Sequence, residues 1–190
     1  MSIKNDTPMP APHHSALFSL SRPISLVGFM GCGKSTLGRA LAARLDCPFV
    51  DMDDEIARMA RRSIPEIFST LGEAAFRDYE TNAAQMLPTP SVVATGGGAF
   101  AWPKTHTTLQ NQTITVWLRL SWPLLIKRLA RERDHRPLLQ SKNWKQQAET
   151  LYEKRLPWYE KAHVIIDTDH KKIPTLVREI LQCPALAPKP

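Results

Sequence analysis

Long apolar runs are missing from this chain. Nowhere do its 190 residues gather the roughly 18 consecutive apolar positions that a membrane-spanning helix needs. The first 18 residues, MSIKNDTPMPAPHHSALF, hold one lysine, one aspartate and three prolines, and they lack the continuous apolar stretch of a secretory signal. Cysteine is also scarce. Cys32, Cys47 and Cys183 are odd in number and follow no framework spacing, which excludes a disulfide-stapled scaffold and fits a reducing, cytoplasmic setting. Acidic residues are outnumbered by basic ones, 18 to 25, for a formal charge of +7. Such an excess suits an anionic partner, either nucleic acid or a phosphorylated or carboxylated small molecule, and composition alone does not choose between them. Motifs that read RNA or DNA are lacking too, so nucleic acid has only the net charge in its favour.

What is present is one domain's worth of alternating elements, with 43% hydrophobic residues to fill a core. Residues 1–22 carry no periodicity and are expected to be a mobile tail, with the domain spanning 23–182 and a second tail over 183–190. Short apolar runs ending at Val27, Asp51, Thr95, Leu118 and Asp167 predict five strands. Helices are predicted from Lys34 (Leu37, Leu41, Leu45 buried), from Ser63 with Glu66 as a capping box, and after Gly72 with Phe76, Tyr79, Ala83, Met86 and Leu87 on one face. Others follow Ser121, with Leu124, Leu125 and Leu129, and Asp167, with Ile173, Leu176, Val177, Ile180 and Leu181. Strands alternating with helices imply an α/β fold, a three-layer αβα sandwich around a parallel sheet. Ligands of such sheets bind at the carboxyl ends of the strands.

The chemistry-bearing residues fall at those ends. Gly28-Phe-Met-Gly-Cys-Gly33-Lys34-Ser35 follows a strand and opens a helix, the context in which G-x-x-x-x-G-K-[ST] cradles phosphate. Its N–H groups and the helix dipole would face the anion, Lys34 would reach the β- and γ-phosphates, and Ser35 would ligate Mg²⁺. Cys32 reads as a small filler in that loop. Asp51 and Asp53 end the second strand, where one carboxylate could hold the metal's water shell and another contact a substrate hydroxyl. After the third strand, where a metal-binding aspartate would be unsurprising, stand three glycines, Gly96, Gly97 and Gly98, open to a ligand that bonds bare backbone. Arg77, Arg136 and Arg155 carry planar guanidinium groups suited to carboxylate or phosphate. The polar segment 131–143 reads as a lid with Arg136 at its tip.

The P-loop GFMGCGKSTLGR, the acidic DMD, FSTLGEAAFRDYE, ATGGGA, RPLL and KRLPWY, in that order, resemble shikimate kinase over roughly residues 22–182. The resemblance implies a P-loop kinase fold like that of nucleoside monophosphate kinases, with five parallel strands and a lid. It implies ATP-dependent phosphorylation of shikimate at its 3-hydroxyl, by a monomer that needs no nucleic acid and no membrane. By the same resemblance, Gly31, Cys32, Gly33, Lys34, Ser35, Thr36 and Arg136 would hold ATP, and Ser35 and Asp51 would hold Mg²⁺. Lys34, Asp53 and Arg136 would be catalytic, and Asp53, Arg77, Gly97, Gly98 and Arg155 would bind shikimate. Asp167 and Thr168 would mark the loop near adenine. Met52 departs from the small polar residue usual between the two aspartates. A kinase for gluconate or a nucleoside monophosphate is the nearest rival. A silent, kinase-like binding protein is another, and it would be expected to have lost Lys34, Asp53 or an arginine.

Overall fold

The computed structural model describes residues 20–131 and 141–186. Its centre is β1 (Ile24–Val27), every residue of which is buried. A four-residue apolar run with helices on both sides can satisfy its backbone only by pairing with strands on both edges. It does so with β3 (Val92–Ala94) and β4 (Ile114–Arg119), both parallel. The edges are β2 (Phe49–Asp51) beside β3 and β5 (Val164–Asp167) beside β4, giving the order β2-β3-β1-β4-β5. The expected five-stranded parallel sheet is therefore present.

Helix α1 (Lys34–Leu45) starts abruptly after Gly33, whose φ of 101° only glycine adopts without strain. No side chain caps this helix, so its first N–H groups are left for a ligand. Asp51 closes β2 and at once caps α2 (Met52–Ala60), accepting from the N–H of Asp53. Met52, between the two aspartates, is fully buried, so it serves the core and leaves the carboxylates on the solvent side. The Ser63–Glu66 capping box starts α3 (Ile64–Thr70), and α4 (Gly72–Gln85) follows. A 3-10 turn, Ala99–Ala101, follows the three glycines.

α5 (Pro103–Gln112), which the hydrophobic pattern does not reveal, comes next. It buries only Thr105 and Leu109, too thin a stripe to register as amphipathic, although Pro103 at its start is a helix-opening signal. α6 (Trp122–Arg131), α7 (Trp144–Tyr159) and α8 (Ile173–Leu181) complete the helices of the described residues. The steps from β1 to β2 and from β3 to β4 run in opposite directions across the sheet. Right-handed crossovers then place α1 and α5 on opposite faces, which makes the sandwich three-layered. α1 packs against α8, and α4 against α5.

Three details differ from expectation. Met86 lies just beyond α4 and is 70% exposed, while Glu80 and Thr81 take the buried face, Thr81 sharing a 2.9 Å hydroxyl contact with Thr105 of α5. Pro184–Leu186 forms a 3-10 turn whose leucine is buried, and Leu20 is buried as well. The core thus draws on both stretches that read as tails. Leu26, fully buried at the middle of the sheet, is the position where loss of volume should be felt most directly. Leu26→Ala is expected to lower unfolding free energy by about 2–5 kcal/mol, read as a shift of the urea midpoint at unchanged slope.

Candidate active site

The sheet register sets the site. Asp51 on β2 lies level with Ala94 on β3, and Ala94 lies level with Leu26 on β1. The segments that follow these positions therefore emerge side by side: Asp53, the three glycines and the phosphate-loop motif. Lys34 folds back over its own loop, its Nζ donating to the carbonyls of Gly28 at 2.9 Å and Phe29 at 3.0 Å. Ser35 Oγ donates to Asp51 Oδ2 at 2.9 Å, so a hydroxyl and a carboxylate stand together beside the loop. Oxygen donors of this kind suit a hard cation that keeps phosphate and water as its other ligands. Among the described residues no group of three or more His, Cys, Asp or Glu forms an all-protein metal cage.

A cavity of about 480 Å³ is lined by Gly31, Gly33, Lys34, Ser35, Thr36, Asp51 and Arg128, among others. A second, of about 780 Å³, is bounded by Arg77, Glu80, Gly98 and Arg155 and by the apolar Ile64, Pro65, Phe68 and Phe76. Met30, Asp53, Gly96 and Gly97 line both. Phe68, 41% exposed and 4.6 Å from the Phe76 ring, forms an open edge of the second cavity.

Two arginines converge on the glycine turn. A methyl group at Gly98 would come within 3.0 Å of the Arg155 guanidinium and 3.1 Å of that of Arg77. Arg155 also donates to the carbonyl of Gly97 at 3.1 Å and lies over the Phe29 ring. Arg77 reaches Glu80 at 2.8 Å and Glu73 at 3.0 Å, and it stacks near Phe76 and Trp102. Glu80 is 1% exposed. Its burial pushes the carboxyl above the usual carboxylate range, with the Arg77 charge opposing this and Asp53 adding to it. At Gly96, an added methyl group would sit 3.0 Å from an Asp53 carboxylate oxygen and 3.2 Å from one of Glu80, so both carboxylates approach the same glycine.

The structure brings together Gly31, Cys32, Gly33, Lys34, Ser35, Thr36, Asp51, Asp53, Arg77, Gly97, Gly98 and Arg155 around these joined cavities and their walls. Cys32 is buried beneath the loop with Lys34 Nζ 3.9 Å from its sulfur, consistent with a filler. Arg136 lies outside the described residues, as does most of the expected lid. Asp167 is paired with Arg119 at 2.8 Å, which holds its carboxyl below the usual range. Asp169 accepts from the Ser121 N–H at 2.9 Å and so ties the loop after β5 to the start of α6.

Three residues were not picked out from sequence. Glu80 could have been found as the i,i+3 partner of Arg77 on α4. Arg128 donates to the Cys32 carbonyl at 3.4 Å beside Gly33, and Tyr159 donates to the Gly97 carbonyl at 2.6 Å. No spacing rule links either of them to a loop far away in sequence.

A family model described as shikimate kinase matches residues 30–184. The chain is 40% identical to a shikimate kinase of Rhizobium leguminosarum bv. trifolii over 85% of its own length and 83% of the relative's. It is 44% identical to one from Paramagnetospirillum magneticum, over 84% and 83%. Among solved structures, shikimate kinase from Acinetobacter baumannii in complex with shikimate superposes with a TM-score of 0.79 at 39% identity, covering 87% of this chain and 93% of that one. A gluconokinase from Sinorhizobium meliloti, at 20% identity and a TM-score of 0.52, shares the fold alone. Since Glu80 is a buried charge held by Arg77, Glu80→Ala is expected to leave that guanidinium half-paired and to cost on the order of 3 kcal/mol in chemical unfolding.

Proposed function

This chain belongs to the shikimate kinase family, and we propose that it transfers the γ-phosphoryl group of ATP to the 3-hydroxyl of shikimate, giving shikimate 3-phosphate and ADP. The observation that carries this reading is the pair of cavities meeting at Asp53, Gly96 and Gly97. One has the donors and open helix end that phosphate needs, and the other has two guanidinium groups for a carboxylate.

ATP enters on the phosphate-loop side. Its phosphates take the N–H groups at the start of α1, and Lys34 swings from the Gly28 and Phe29 carbonyls to the β- and γ-phosphates. Ser35 and Asp51 are the residues to hold Mg²⁺, which when bound neutralises phosphate charge. Arg128, beside Gly33, adds a positive wall to this side. Arg136 is the candidate to fold onto the phosphates from the lid.

The acceptor enters over the glycine turn. Arg77 and Arg155 bind its carboxylate, and the apolar wall of Ile64, Pro65, Phe68 and Phe76 excludes water from the ring's less polar face. Asp53 accepts the hydrogen bond of the 3-hydroxyl, aims its oxygen at the γ-phosphorus and is the first acceptor of its proton. The new O–P bond forms as the bond from the γ-phosphorus to the β-phosphate oxygen breaks. Through a loose transition state this step depends on alignment and charge neutralisation more than on a strong base, which suits an exposed aspartate. The three unpaired cysteines support a cytoplasmic enzyme, and a monomer is the assembly we read for it.

Coupled ADP release with MgATP is expected to be strong with shikimate and at least tenfold weaker, in rough terms, with quinate, gluconate or nucleoside monophosphates. ADP release that ignores shikimate would overturn the assignment. Gly98→Ala offers a sharper check, since Gly98 has φ −101° and ψ −15°, which alanine tolerates, so the added methyl acts only by displacing the two guanidinium tips. The shikimate KM is expected to rise about tenfold or more, with the ATP KM unchanged and the melting temperature within about 2 °C of the parent.

A further inference from the structure

Tyr159 makes no contact with either cavity, yet it is fully buried and its hydroxyl lies 2.6 Å from the carbonyl oxygen of Gly97. That oxygen also accepts from Arg155, four residues earlier on the same face of α7. Both lone pairs of one carbonyl are therefore taken by one helix. Burial pushes the Tyr159 phenol well above the usual tyrosine range, so the hydroxyl remains a donor at every working pH. The ring is fixed independently by stacking on Trp117 of β4, with centroids 5.9 Å apart.

A trans peptide is planar, so the carbonyl of Gly97 and the N–H of Gly98 point in opposite directions. Pinning the carbonyl toward α7 thus turns the Gly98 N–H away from it. Glycine on both sides leaves this peptide freer to rotate than any other residue would allow, so an outside anchor has something to hold. The N–H groups of Gly97 and Gly98 take no backbone acceptor among the described residues. Gly98 itself stands between the tips of Arg77 and Arg155.

We propose that Tyr159 is a positioning residue that locks the Gly97–Gly98 peptide and so fixes the glycine turn on which Arg77 and Arg155 converge to receive the acceptor's carboxylate. This rests on the reading of the second cavity as the shikimate site. Tyr159 acts through the backbone of the turn and touches no substrate. Arg155 binds the carboxylate and braces the carbonyl, and Tyr159 keeps that carbonyl in place when Arg155 moves to engage its ligand.

Tyr159→Phe keeps the ring, its volume and its stack on Trp117 and removes only the hydroxyl. In steady-state ADP-release kinetics the shikimate KM should rise roughly five- to twentyfold, the scale of losing one well-aimed hydrogen bond to a charged ligand, while the ATP KM stays within about twofold. In wild-type enzyme, adding shikimate should slow amide hydrogen exchange at Gly98, and that measurement stands even if the variant does not fold. An unmoved shikimate KM, a parallel rise of both KM values, or unchanged exchange at Gly98 overturns the proposal, since a purely structural tyrosine would give one of these. Wild-type enzyme that does not turn over shikimate overturns the parent reading and this one with it, whereas normal wild-type turnover with an unaffected variant overturns this one alone.

Discussion

The lateral pairing of β3 between β1 and β2 is the constraint on which the site depends. Three short strands run parallel and in register, so that Asp51, Ala94 and Leu26 share one level of the sheet. Parallel strands all end on the same side, and whatever follows them is delivered to one rim. A carboxylate pair, a glycine turn and a phosphate loop from distant parts of the chain meet there without any direct covalent or local link. The buried β1, with neighbours on both edges, resists slipping because a one-residue shift would turn every side chain to the other face.

Around that rim the polar groups are held before any ligand arrives. Lys34 rests on loop carbonyls, Ser35 on Asp51, Arg77 between Glu73 and Glu80, and Arg155 on the Gly97 carbonyl. Each positive group is satisfied by an acceptor it can exchange for substrate oxygen. The arrangement limits the cost of leaving charge in a partly buried cleft, and it limits the side-chain entropy lost on binding. Glu80 shows the balance most clearly. Burial disfavours its charge and Arg77 offsets only part of that effect, while their 2.8 Å contact holds the guanidinium beside Gly98.

Much of this was legible in the residues. The five strands, the capping box and the phosphate loop are local features, and each is encoded within a dozen or so neighbouring positions. The helix α5 was not legible, because a stripe of Thr105 and Leu109 among polar residues looks like a loop until α4 packs against it. Met86 misled for the opposite reason. It keeps the helical spacing of Phe76 and Ala83 but lies past the end of α4, where the chain has turned away.

By itself, then, the sequence determined the elements and the chemistry they carry: glycines where φ is positive, Lys34 and Ser35 at a helix start, and carboxylates at a strand end. It also determined family, through six motifs in a fixed order. Only the tertiary structure decided that Arg77 and Arg155 close on one glycine, that Arg128 lies against the phosphate loop, and that Tyr159 holds the carbonyl of Gly97. The physical reason is range. Backbone preference and periodicity act over a few residues, whereas these contacts span 58 residues from Gly97 to Arg155 and 96 from Cys32 to Arg128, and they exist only once the sheet has fixed the helices around it.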